Sequence, residues 1–187
     1  MKFSKFLAAT CAVVGFSTAA QTPAPRVAFE TSEGKIVVEL AVQAAPKTVD
    51  NFLTYVKSGH YDGTVFHRVI PGFMIQGGGF TADMKEKPTR GTIPLESRNG
   101  LKNQRGALAM ARRGDPDSAS AQFFINVVDN ANLDYPKPDG NGYAVFGKVV
   151  EGMDVVDKIR AAPTDNRGPY QNVPVTPITI KTARVVK

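Results

Sequence analysis

The chain has one cysteine, Cys11, and two histidines, His60 and His67, in 187 residues. Cys11 falls in residues 1–20, which read as a cleavable signal peptide. Once that leader is removed, the mature chain has no thiol. It then has no disulfide, no cysteine nucleophile and no cysteine metal ligand. His60 and His67 stand apart with no HExxH-like pattern, so no metal site and no cofactor are expected. No run of five or more Lys and Arg occurs, so the basic excess does not point to nucleic acid. No apolar stretch after the leader reaches the roughly 20 residues that span a bilayer. A G-x-S-x-G nucleophile elbow is missing as well, which leaves a serine hydrolase without support.

The leader has the three parts of an export signal. Lys2 and Lys5 give a positive start, Phe6 to Phe16 is apolar, and Ser17 to Ala20 supplies small residues for cleavage. The apolar run is too short for a membrane anchor, and it continues past Cys11, which disfavours lipidation there. Losing Lys2 and Lys5 lowers the formal charge from +6 to +4. Residues 21–187 then fit one domain with a real core. No internal repeat interrupts them.

Periodicity places the elements. Val27–Thr31 and Lys35–Leu40 read as strands around the Glu33-Gly34 turn. Pro46 suits the first turn of a helix, and Val49, Phe52, Leu53 and Val56 recur at helical spacing. Ser58-Gly59 ends it. Residues 81–100 read as a long loop, with Lys85–Lys87 a solvated face. Strands are expected over Gly106–Arg112, Gln122–Val127, Ala144–Val150 and Ile178–Val186. Residues 130–142 and 168–174 read as loops. Met153–Arg160 reads as a short helix with Val155, Val156 and Ile159 inward. Many short strands with two helices argue for a mainly β fold, a closed antiparallel barrel capped at its ends.

The stretch from Val65 to Phe80 organises the rest. Its β-branched and aromatic residues form two strands joined at Pro71-Gly72, the second ending at Gly77-Gly78-Gly79. Alternation puts Arg68 on one face with Phe66 and Ile70, and puts Met74 with Gln76. By itself that pattern also fits an arginine whose stem covers core surface while its head stays in water.

Three blocks, in order, carry a resemblance. Phe66-His-Arg-Val-Ile-Pro-Gly-Phe-Met-Ile-Gln-Gly-Gly78 is similar to the signature of the cyclophilins, which are peptidyl-prolyl cis–trans isomerases. Gly106–Arg112 with Ser118–Val127 resembles their second signature, and Tyr143–Met153 a third block. The blocks cover nearly all of the chain after residue 25. Gly168–Pro174 adds a likeness to the periplasmic cyclophilins of Gram-negative bacteria. The resemblance implies an eight-stranded barrel with a helix at each end. It also implies a periplasmic enzyme that isomerises X–Pro bonds of exported polypeptides as they fold; a monomer is expected because nothing in the sequence suggests an obligate interface.

Roles carry over by position. Arg68 matches the catalytic arginine, and Gln76 the glutamine that orients it and contacts substrate backbone. Phe73, Met74, Phe124 and Leu133 match the apolar pocket for the Pro ring. Gln122 and the backbone around Ala111 match the groove for residues before the Pro. Tyr143 stands where many relatives carry His. Two departures remain. The segment from Met110 to Gln122 is one residue longer than in the common eukaryotic form, and Asn132 stands where many eukaryotic members carry Trp. On this reading chelators and thiol reductants leave peptide turnover unchanged. An EDTA loss that Zn²⁺ or Ca²⁺ restores would reveal a site these residues do not show.

Overall fold

A computed structural model describes residues 23–187. The expected signal peptide and its cysteine lie outside the described residues. The strands are β1 (Arg26–Thr31), β2 (Lys35–Leu40), β3 (Thr64–Ile70), β4 (Met74–Thr81), β5 (Ala107–Met110), β6 (Phe123–Asn126), β7 (Val145–Glu151), β8 (Thr164–Arg167), β9 (Tyr170–Pro174) and β10 (Ile180–Val186). Helix α1 is Pro46–Lys57 and α2 is Met153–Arg160. Eight strands form one antiparallel sheet in the order β10-β1-β2-β7-β5-β6-β4-β3. The first strand pairs with the last, from Arg26 opposite Val186 to Thr31 opposite Ile180.

The sheet curls into a half-barrel and does not close into the barrel expected from sequence. Edge strands β3 and β10 share no ladder. One isolated bridge, Val65 to Thr179, crosses the seam. Gly63 N–H donates to Ile180 O at 2.8 Å and Phe66 N–H to Ile178 O at 2.9 Å. Along the rest of β3, strand β9 packs instead. The β8–β9 hairpin occupies a stretch expected to be loop. Its Thr-Asp-Asn-Arg strand is polar throughout and gives no apolar alternation.

The concave side holds the main core. Phe29 stacks on Phe123 at 5.3 Å, and Phe52 meets Phe123 edge-on at 5.9 Å. Phe52 arrives from α1, whose Val49, Phe52, Tyr55 and Val56 are buried, with Leu53 partly so. These residues plug one end of the curl. The start of α1 is held from the 81–100 loop. Glu96 accepts hydrogen bonds from Thr48 N–H at 2.8 Å and Lys47 N–H at 3.2 Å. A carboxylate there satisfies orphan donors and complements the helix dipole. Helix α2 buries Val156 and Ile159, with Val155 half-buried.

Two local details reposition side chains. The register slips between Phe66 and Arg68, so a bulge interrupts β3. Phe66 and Val69 therefore both enter the main core, while Arg68 and Ile70 turn to the convex side. Simple alternation had put Phe66 with Arg68; one extra residue in a strand breaks that count. Strand β4 also runs on through Gly77–Gly79 to Thr81 rather than stopping there. Gly78 has φ +86°, and a Cβ on it would come within 2.8 Å of the Tyr61 ring.

Candidate active site

The convex face of β4, β5, β6 and β7 carries a second apolar cluster: Met74, Ala107, Ala109, Phe124, Val145 and, from the loop, Leu133. Cross-strand pairing builds a row over it. Arg68 lies opposite Gln76, Gln76 opposite Phe124, and Phe124 opposite Ala109. The row sets a guanidinium, an amide, an aromatic ring and a methyl side by side.

A cavity of about 110 Å³ opens on this row. Met74 and Phe124 form its base, with Phe73, Leu133, Tyr143 and Ala111 around it and Arg68 and Gln76 at one side. Every Pro-pocket residue expected from sequence is in this wall. Gln122 is not; it lines an adjoining polar hollow of about 250 Å³, which shares Gln76, Ala111 and Arg112 with the cavity. Asn132 is exposed on the one-turn 3-10 helix Ala131–Leu133.

Hydrogen bonds give the polar side a direction. Arg68 Nη1 donates to Gln76 Oε1 at 3.5 Å, and Gln76 Nε2 donates to Gln122 Oε1 at 3.0 Å. Gln122 fits because residue 79 is glycine: a Cβ there would sit 2.6 Å from the Gln122 amide. Among the described residues Arg68 forms no ion pair and no hydrogen bond beyond Gln76, so most of its fork is free.

Arg112, which sequence reasoning left out, is the second cation of the wall. It has left β5, two residues past Met110. Its side chain is only 2% exposed. It pairs with both oxygens of Asp139 at 2.7 and 2.8 Å and donates from Nε to Gly142 O at 3.0 Å. Its guanidinium lies 4.6 Å over the Tyr143 ring. The Arg112 hydrogen bond holds the Asp139 carboxyl below its ordinary range. Arg112 is thus committed to holding Tyr143 and the 139–142 loop. The cation beside Ala111 was visible in sequence, but its partners lie about thirty residues on.

Behind Arg68 the chain buries His67. Its Nδ1 has no partner, and its ring stands 4.6 Å from Phe80. Burial drives its pKa down to about 4, the adjacent Arg68 charge adds to the fall, and a weak approach of Val65 backbone opposes it. Neutral at pH 7, His67 points away from the cavity. Among the described residues no three His, Cys, Asp or Glu side chains gather as a metal site would require.

Residues 26–185 match the family model of cyclophilin type peptidyl-prolyl cis-trans isomerases. This chain belongs to that family. Peptidyl-prolyl cis-trans isomerase A of Dickeya dadantii is 54% identical over 187 residues, covering 98% of each chain. Peptidyl-prolyl cis-trans isomerase B of Escherichia coli is 53% identical over 161 residues, covering 85% of this chain and 98% of its own. A cyclophilin type isomerase from Cryptosporidium parvum superposes with TM-score 0.73 at 28% identity, covering 88% of this chain and 98% of its own. The same protein was also solved in the presence of the dipeptide Ala-Pro, with TM-score 0.72 to this chain. The cyclophilin described here is therefore a peptidyl-prolyl cis–trans isomerase.

Proposed function

We propose that Arg68 stabilises the twisted X–Pro amide above the apolar cavity, and that the clients are polypeptides folding after export. Rotation about X–Pro must give up amide resonance, a barrier of roughly 18–20 kcal/mol. Uncatalysed exchange takes tens to hundreds of seconds. In the twisted state the Pro nitrogen regains a lone pair. A fixed cation at that nitrogen lowers the barrier without covalent chemistry, because the donor is already in place when the pair appears. The Pro ring would rest against Phe73, Met74, Phe124 and Leu133. Gln76 and Gln122 would hold the backbone before it.

The observation that carries this reading is the contrast between the two arginines of the wall. Arg112 spends its donors on Asp139, Gly142 and Arg113. Arg68 has its donors to spare, beside an apolar base, with a glutamine to aim them. A guanidinium also keeps its charge at any working pH.

The leader supports export to the periplasm, where the thiol-free mature chain would act as a monomer. Two measurements test the reading together. N-terminal sequencing of the protein from an osmotic-shock fraction should begin near Gln21. A full-length chain retained in the cytoplasm would overturn export. An exported protein with Pro-limited refolding should refold faster with the isomerase far below one equivalent. Acceleration only at stoichiometric amounts would mean holding rather than turnover.

A further inference from the structure

Three buried asparagines sit behind the cavity. Asn103 is 2% exposed, Asn126 0% and Asn130 6%. Burying a primary amide costs free energy unless its polar atoms are paired. Here they pair with one another in a single direction. Asn130 Nδ2 donates to Asn126 Oδ1 at 2.7 Å, Asn126 Nδ2 to Asn103 Oδ1 at 3.2 Å, and Asn103 Nδ2 to Asp134 Oδ1 at 3.2 Å. The second amide protons of Asn130 and Asn126 reach backbone. Asn130 Nδ2 donates to Phe73 O at 2.8 Å and Asn126 Nδ2 to Ala107 O at 3.3 Å.

The ends of this chain are the two loose walls of the cavity. Phe73 is on the turn between β3 and β4, outside either strand. Leu133 is on the one-turn helix, its N–H bonded to Asn130 O at 2.9 Å. Met74 and Phe124 sit inside strands, whereas Phe73 and Leu133 lie outside them and are tied to other segments by single backbone bonds, Val127 N–H to Phe73 O at 3.1 Å and Tyr143 N–H to Leu133 O at 2.9 Å. Asn126, on β6 opposite Met74, is the rigid middle of the chain. Asn130 bonds to it on one side and to the Phe73 carbonyl on the other. The spacing between Phe73 and Leu133 therefore rests on these backbone bonds together with amide contacts that never touch the cavity.

We propose that Asn126 and Asn130 are positioning residues that set the gap between Phe73 and Leu133, and so the affinity for the Pro ring. The inference rests on the Pro-pocket reading above. Loosening the gap weakens ground-state and transition-state binding alike, so it acts on KM and spares kcat. Arg68 and Gln76, on the strand side, stay where they are.

The test uses the mature isomerase and an X–Pro peptide followed by NMR exchange, which separates the dissociation constant from the on-enzyme rate. Asn130→Ala removes the bonds to Phe73 and Asn126. Peptide affinity should fall roughly two- to tenfold, the range for one or two modest hydrogen bonds, with the on-enzyme rate nearly unchanged. In a Phe73→Ala background the same substitution should have much less effect, because the wall it holds is gone. Asn126→Leu, which keeps the branched four-atom shape but is apolar, should act in the same direction and serves where Asn130→Ala does not fold. Unchanged affinity in a folded variant, with only a lower Tm, would overturn the inference. A full effect of Asn130→Ala without Phe73 would do the same. Phe73→Ala binding as tightly as wild type would instead sink the pocket reading, and this inference with it.

Discussion

Replacing Arg68 with alanine is expected to lower kcat/KM about a hundred- to thousandfold and leave the fold intact. The size is that of losing one preorganised donor at a developing charge. The fold survives because Arg68 has no carboxylate partner whose charge would be stranded, and its one hydrogen bond is long at 3.5 Å. The same substitution at Arg112 differs in kind. It would strip Asp139 of its cation, leave the Gly142 carbonyl without its Arg112 donor and release Tyr143. Arg68→Lys keeps the charge as a point on a flexible stem and loses the fork that grips Gln76, so most of the activity should still go. Peptide isomerisation with a circular dichroism spectrum alongside checks both. Wild-type kcat/KM in a native-like Arg68→Ala protein removes Arg68 from the mechanism.

Acidification from pH 6.5 to 4 should cost the fold on the order of 3 kcal/mol through His67 alone. Its pKa falls from the ordinary 6.5 to about 4, chiefly because burial penalises the cation and a weak approach of Val65 backbone, outside hydrogen-bond geometry, does little to offset it. Between those values the unfolded chain takes up a proton that the native chain refuses, so stability falls with pH across this window. Below about 4 the His67 loss is complete. His60, lowered mainly by burial, adds in the same direction. Asp62, held below its ordinary 3.8 by its Arg184 hydrogen bond, adds a further loss at more acid pH. Urea midpoints at pH 7 and pH 4.5 measure the effect. His67→Leu should flatten the slope between them and cost little at pH 7, since Nδ1 gives up no partner. Equal slopes in the two proteins would show that His67 is not the group responsible.

The site was legible where a period or a block carried it. Period 2 set β1 and β2, helical spacing set α1, and the first block singled out Arg68 and Gln76, which the β3–β4 register puts opposite one another. The blocks also named Phe73, Met74 and Phe124, which the fold brings together around one cavity with Leu133 from the loop. What stayed hidden lacks a period. The bulge that turns Phe66 inward comes from strand register, which no alternation pattern encodes. Glu96 reaches α1 across 48 residues, and Arg112 reaches Asp139 across 27. The asparagines stand in segments whose composition says only loop or strand end. Closure was overestimated for a related reason. Counting strands gives the size of a sheet, whereas what packs along its edge, here β9 along β3, is a long-range pairing that no local pattern encodes.

The pairing of β1 with β10 also bears on how the molecule comes into being. Arg26 and Val186 lie side by side in the ladder, at opposite ends of the described chain. A sheet that begins with its last strand cannot be completed while that strand is still unmade. Until then β1 has a bare edge, and Phe29 lacks the cover that Ala183 provides opposite it. Such long-range closure slows the search and keeps apolar surface open in the interval. An enzyme that speeds the slow step of other chains thus has a late, non-local step in its own assembly.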